Sequence, residues 1–211
     1  KTPDVIKKIF TDFSNLAVHE KRFNNKQGLY VYLPPSENKY LLLSRYDGDL
    51  ERSIVELIDL RQKKKIHEWK PDINKINSYS KLPEKSVYLK SDHNAKRYAI
   101  GHPFLLNNGD LLIKSMRTPL TKIDICSKLI WTLDYAFHHS IEKDRENNFW
   151  IPFTFFPKSV DPGLDENYRV NTDHFIDDGI MKISDEGKFL FKKSIIQIFI
   201  DNNLEELIVS G

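Results

Sequence analysis

A strand–turn–strand segment ending in an aromatic residue recurs three times along this chain, and no other feature limits the fold as much. The first copy is Leu57-Ile58-Asp59-Leu60 followed by Lys63-Lys64-Lys65-Ile66-His67-Glu68-Trp69. The second is Lys122-Ile123-Asp124-Ile125 followed by Lys128-Leu129-Ile130-Trp131, and a looser third runs from Lys182 through Gly187-Lys188 to Phe189-Leu190-Phe191. The aromatic ends lie 62 and 60 positions apart. A steady period of tens of residues marks stacked or radial units, because one such unit cannot cover its own apolar faces.

Each later copy follows another hairpin. His102 to Leu106 passes through Asn107-Asn108-Gly109-Asp110 into Leu111 to Lys114, with Asn-Gly supplying the left-handed backbone angles of a tight turn. His138 to Lys143 likewise passes through Asp144-Arg145-Glu146-Asn147-Asn148 into Phe149 to Phe153. Two hairpins per repeat make a four-stranded antiparallel unit, the form of a β-propeller blade. The expected class is therefore all-β: a β-propeller over 28–211 with about three four-stranded blades, an incomplete ring, since closure takes roughly four to eight. An open β-sandwich with two long insertions is the alternative. Polar stretches at 71–96 and 154–176 are expected to cross one face between units. Before them, Val5, Ile6, Ile9, Phe10, Phe13, Leu16 and Ala17 form one apolar stripe, which predicts an amphipathic helix over 4–20 in an N-terminal segment, 1–27. The apolar run Ser194 to Asn202 fits a short helix or a buried strand, which periodicity does not separate, and a helix is the preferred expectation.

Several function classes find no support. The formal charge of +2 provides no field to draw the chain onto nucleic acid, and Arg61-Gln62-Lys63-Lys64-Lys65 is expected to be a solvated hairpin tip. No nucleic-acid partner is expected. There is no phosphate-binding glycine loop and no Gly-x-Ser-x-Gly elbow, and one cysteine, Cys126, allows neither a disulfide nor a multi-cysteine zinc site. No cofactor is expected. Apolar runs of a few residues fall far short of the ~20 that span a bilayer. The chain begins at Lys1, so a processed or trimmed precursor is expected.

The histidines are the informative polar residues. His102, His138 and His139 are expected to begin the first strand of successive units, the strand that lines a propeller's channel, so their imidazoles are expected to converge. Neighbours on a strand point oppositely, so only one of His138 and His139 can share a space with His102. Tyr135-Ala136-Phe137-His138 favours burial of His138 and leaves His139 facing the channel. Arg97, Lys114 and Arg117 add positive charge near the same mouth, which suits an anion. A metal site built from His138, His139, Asp173, Asp177 and Asp178 is the weaker reading, because adjacent histidines diverge.

The string from Gly101-His102-Pro103-Phe104 to Asp110-Leu111-Leu112, then Leu129-Ile130-Trp131, then His138-His139-Ser140-Ile141-Glu142 and Asn148-Phe149-Trp150-Ile151, resembles the arylsulfotransferase-like β-propellers over about residues 28–200. That resemblance implies a six-bladed bacterial enzyme, periplasmic or membrane-tethered, that moves a sulfuryl group from an aryl sulfate to a phenol through a sulfated histidine. It implies an aryl sulfate or phenol as small-molecule partner, and His139 or His138 as the early substrate-binding histidine. No match to the family's later His-x-Asn motif or nucleophilic histidine occurs within these 211 residues, so the chain by itself is expected to be inactive with no catalytic residue assigned. The expected substrate-binding residues are His102, His138, His139, Arg97 and Arg117, with no metal. A noncatalytic β-propeller module that binds a ligand or protein is the alternative, and exposed apolar surface near the C-terminal run predicts self-association.

Overall fold

A computed structural model describes residues 29–33, 35–82, 93–159, 176–204 and 206–209. The helix expected over 4–20, with the whole 1–27 segment, lies outside the described residues, as do Asp173 and His174. The class is all-β with antiparallel sheets, plus short helices. Strands β1 (Tyr40–Asp47), β2 (Arg52–Asp59) and β3 (Lys64–Trp69) form a three-stranded meander. Helix α1 (Ile73–Asn77) follows. Strands β4 (Phe104–Leu105), β5 (Leu111–Ile113), β6 (Thr118–Ile123) and β7 (Leu129–Phe137) form a second meander. The third contains β8 (Glu142–Lys143), β9 (Phe149–Thr154), β10 (Asp178–Ile183) and β11 (Phe189–Ser194). Helices α2 (Ile195–Asp201) and α3 (Glu206–Val209) close the described chain, and the Ser194 side chain caps α2 by accepting from the Gln197 amide.

The second and third meanders are joined into one eight-stranded sheet by only two residue pairs, Ala136↔Thr154 and Phe137↔Phe153. At the other end of that same edge, β9 pairs with β8 through Trp150 and Phe149. The sheet is thus two four-stranded units sharing a narrow seam.

One turn recurs in both units. In the turns starting at Leu106, Asp124, Asp144 and Ser184, the first amide donates to the carbonyl four residues on, and the amide three residues on donates back to the first carbonyl. The residue at that third position has positive φ in each: Gly109, Ser127, Asn147 and Gly187. This is the three-residue hairpin loop with a left-handed residue. The Asp124 and Asp144 carboxylates reinforce their turns by accepting two backbone amides each.

Both faces of the second meander are buried. Leu111, Ile113 and Ile123 pack with Val55, Trp69, Ile73, Ile76, Tyr98 and Ile100 on the side of the first sheet. Leu112, Leu120 and Phe137 pack with Phe149, Ile151, Phe153, Met181 and Ile183 on the side of the third. Strand alternation sends neighbours on β5 into different cores. All six residues of β6 are buried, Thr118, Thr121 and Lys122 included. Burying each large aliphatic here contributes about 1.5–3 kcal/mol. The junctions repeat as well. The ring of His67 on β3 meets the Ile125 carbonyl in the β6–β7 turn, with Nε2 2.7 Å from the oxygen. Trp131 on β7 donates through Nε1 to the Asp185 carbonyl in the β10–β11 turn at 3.2 Å.

Two expectations need correction. The first unit has three strands among the described residues rather than four. The stretch 154–176 does not connect units: β9 and β10 pair directly, so it is an excursion inside the third meander. Residues 160–175 of it lie outside the described residues, and composition carries no information on which strands flank such a stretch.

Candidate functional site

His102 and His139 occupy equivalent backbone positions. Gly101 donates its amide to the Lys114 carbonyl at 2.9 Å, and His138 donates its amide to the Pro152 carbonyl at 3.1 Å. The next residue in each case, His102 or His139, has φ near +50° (48° and 56°). Histidine takes this left-handed region more readily than branched residues, yet it still costs about 1–2 kcal/mol. Neither residue begins a strand, because β4 opens only at Phe104 and β8 at Glu142. The two turns, rather than strand alternation, therefore decide where the imidazoles go. His102 and His139 are exposed, whereas His138 is 4% exposed.

His138 is held from one side. Its Nε2 lies 3.2 Å from Asp178 Oδ1 at the start of β10, and Thr154 Oγ1 donates to the same carboxylate oxygen at 2.8 Å. Partial burial raises the Asp178 pKa, but the His138 and Thr154 hydrogen bonds and the Arg117 charge outweigh it and leave the carboxyl below its ordinary value. Nδ1 of His138 is buried without a hydrogen-bond partner among the described residues. The His139 ring stands edge-on to it with centroids 4.7 Å apart. Arg117, itself at φ 53°, immediately precedes Thr118, which pairs with Phe137 across β6 and β7, so it lies beside His138.

The other candidates sit around the Gly101–His102 turn. Lys114 is 1% exposed, its Nζ reaches the Gly101 carbonyl at 3.4 Å, and burial pushes its ammonium down to about 8. It is a fully enclosed cation whose amine is poised near neutrality. Arg97 is exposed, next to the buried Tyr98, whose phenol burial pushes up and whose hydroxyl accepts from Thr118 Oγ1 at 3.4 Å. Among the described residues, no hydrogen bond or ion pair ties Arg97 or His102 to the His138–His139 pair. Asp177 is committed elsewhere: one oxygen accepts from the Ser159 amide and hydroxyl, the other from Ser194. No group of three or more His, Cys, Asp or Glu able to hold a metal ion is found among the described residues. Two cavities of about 300 and 530 Å³ flank α1, the larger lined by Lys75, Tyr79 and Lys128, and they share no residue with the histidine turns.

The chain matches no protein-family model and no curated protein. Among the described residues no helix is long and apolar enough to cross a membrane.

Sequence reasoning picked out the histidines but missed what holds them. Asp178 entered only as a metal ligand, and Thr154 not at all, because their link to His138 spans 40 and 16 residues and comes from the β7–β9–β10 pairing. Lys114, expected to add positive charge at the mouth, is enclosed instead, because the strand it follows, Leu111-Leu112-Ile113, is wholly buried.

Proposed function

We propose that this chain is part of an arylsulfotransferase-like β-propeller, in which its three meanders are successive blades and the turns before the innermost strands bind an aryl sulfate or the phenol derived from it. The observation that carries the reading is the recurrence of an exposed histidine, at positive φ and in the same hydrogen-bonded setting, ahead of two successive inner strands. Further support comes from the second meander, which has a neighbour on each face, as a blade does and a two-layer sandwich sheet does not.

The chemistry suits the ligand. A sulfate ester spreads its charge over non-bridging oxygens, and imidazole N–H groups with the Arg97 and Arg117 guanidiniums can form charge-assisted hydrogen bonds to them. In the full protein a histidine outside the assigned set would take the sulfuryl group as nucleophile and pass it to a phenolic acceptor, splitting one transfer into two. By the same resemblance that protein works in the periplasm or tethered to a membrane. Within these 211 residues no nucleophile for the sulfuryl group is assigned.

Titration calorimetry with 4-nitrophenyl sulfate tests this. Saturable binding is expected, weakened about tenfold or more by His102→Ala and by His139→Ala, the loss of one hydrogen bond to a charged group. No 4-nitrophenol should be released when phenol is added. Absence of binding, or affinity unchanged in both variants, would overturn the reading. The second reading, a noncatalytic propeller module that binds a protein, is favoured by the exposed strip Phe189, Leu190 and Phe191 on β11, and self-association of this chain through that strip belongs with it.

A further inference from the structure

The His138–Asp178 contact has features that a purely structural histidine does not need. One nitrogen is committed to a carboxylate held below its usual pKa, and that fixes which nitrogen carries the proton: an ionised carboxylate only accepts, so Nε2 must be the donor. In the neutral ring Nδ1 is then a bare acceptor, and it is buried with no partner among the described residues. Leaving such a group unsatisfied costs about 1–3 kcal/mol. In the second unit Gly101 stands where His138 stands, and its turn is held by Lys114 instead.

We infer that Asp178 and His138 form a proton-accepting pair, Asp178 holding His138 as its Nε2–H tautomer so that Nδ1 can take the proton of a phenolic hydroxyl bound beside Arg117. This rests on the phenol and aryl sulfate reading of the same end of the molecule. His139, exposed and packed edge-on against the His138 ring, is the neighbour that turns aside to admit the hydroxyl, since exposed side chains change rotamer within nanoseconds. In the step, the phenol O–H bond breaks and its electron pair stays on oxygen. An N–H bond forms at Nδ1. The resulting imidazolium lies against the Asp178 carboxylate 3.2 Å away, and the phenolate oxygen faces the Arg117 guanidinium. The charged or titratable groups around His138 in this arrangement are Asp178 from β10, Arg117 from the β5–β6 turn and His139 beside it. Asp178 acts through His138 and is a positioning residue; Thr154, which donates to the same oxygen, fixes the carboxylate in turn.

The test has two arms. Nitrogen NMR of the imidazoles in the ligand-free chain should show His138 with Nδ1 unprotonated, and Asp178→Asn should shift that tautomer while Asp178→Glu retains it. Absorbance of bound 4-nitrophenol should then show its phenolate band at a pH where the free phenol is mostly un-ionised. Asp178→Asn should lower the ionised fraction by about tenfold, with Asp178→Glu restoring it. A protonated Nδ1 in the wild-type chain overturns the inference whatever binds. If 4-nitrophenyl sulfate binds but bound 4-nitrophenol stays un-ionised, or ionises equally in Asp178→Asn, the inference fails while the functional reading stands. If neither compound binds, both fail.

Discussion

Gly187 sits where one unit's turn rests on the outer strand of the unit before it, and replacing it with alanine tests that junction. Its φ of +75° lies in the left-handed region, where a Cβ costs about 1–2 kcal/mol. A Cβ there would also stand 2.8 Å from Trp131 Cδ2 and 3.0 Å from Cε2, inside contact distance of a ring body rather than of a flexible tip. Forcing the indole away adds about 1–3 kcal/mol of overpacking, and it strains the Trp131 bond to the Asp185 carbonyl. Gly187→Ala is therefore expected to lose about 2–5 kcal/mol. At roughly 2–4 °C per kcal/mol for a chain of this size, the melting temperature should fall by about 4–20 °C. Gly48→Ala is the control, because nothing lies within 4 Å of its added Cβ and its φ is not positive, so it should change stability by no more than about 0.5 kcal/mol. Urea denaturation with matched slopes measures both. If the two variants denature at the same midpoint, the Trp131–turn contact does not hold the second and third units together as described.

Lys114 gives a pH signature. Its folded pKa near 8 lies below the 10.5 of the unfolded chain, so between those values the unfolded state binds more protons and stability rises with pH. Lys114→Met removes that slope: the advantage of the methionine variant should be largest below pH 8 and shrink toward pH 10.5, and a constant difference across that window would contradict the burial. Lys122 is buried between Asp185 Oδ1 at 2.9 Å and Asp110 Oδ2 at 3.4 Å, so Lys122→Ala should cost roughly 2–4 kcal/mol in denaturation, under the limit for a fully buried pair because Asp185 is half exposed. Lys193→Ala, which breaks a surface pair with Asp201, should cost less than about 1 kcal/mol; equal losses from the two would refute the distinction.

The repeat was legible because it is written in local chemistry. Asn108-Gly109, Asp124, Asp144 and Ser184-Gly187 specify their turns within five residues, and the three strand–turn–strand copies fall on β2–β3, β6–β7 and β10–β11. The apolar run after Ser194 was legible as a helix only by preference over a strand; the Ser194 cap that starts α2 settles it in the structure. What was not legible depends on contacts made at long range. Nothing in the local sequence marks Lys122 and Thr121 for burial, yet β6 has a neighbour on each side and buries both. His102 and His139 looked like strand residues because nothing in their side chains signals a left-handed backbone; the amide bonds of Gly101 to Lys114 and of His138 to Pro152 impose it. The choice between His138 and His139 could not be argued from alternation, and rests instead on Asp178, 40 residues further along.

The central claim is that the His102 and His139 turns, built alike in successive units, serve one ligand. Imidazole NMR during a titration with 4-nitrophenyl sulfate addresses it: His102 and His139 should shift together and fit a single dissociation constant, with His67, on the far edge of its sheet, unmoved. Independent constants for the two, or a response confined to one of them, would mean that the turns are alike in backbone alone.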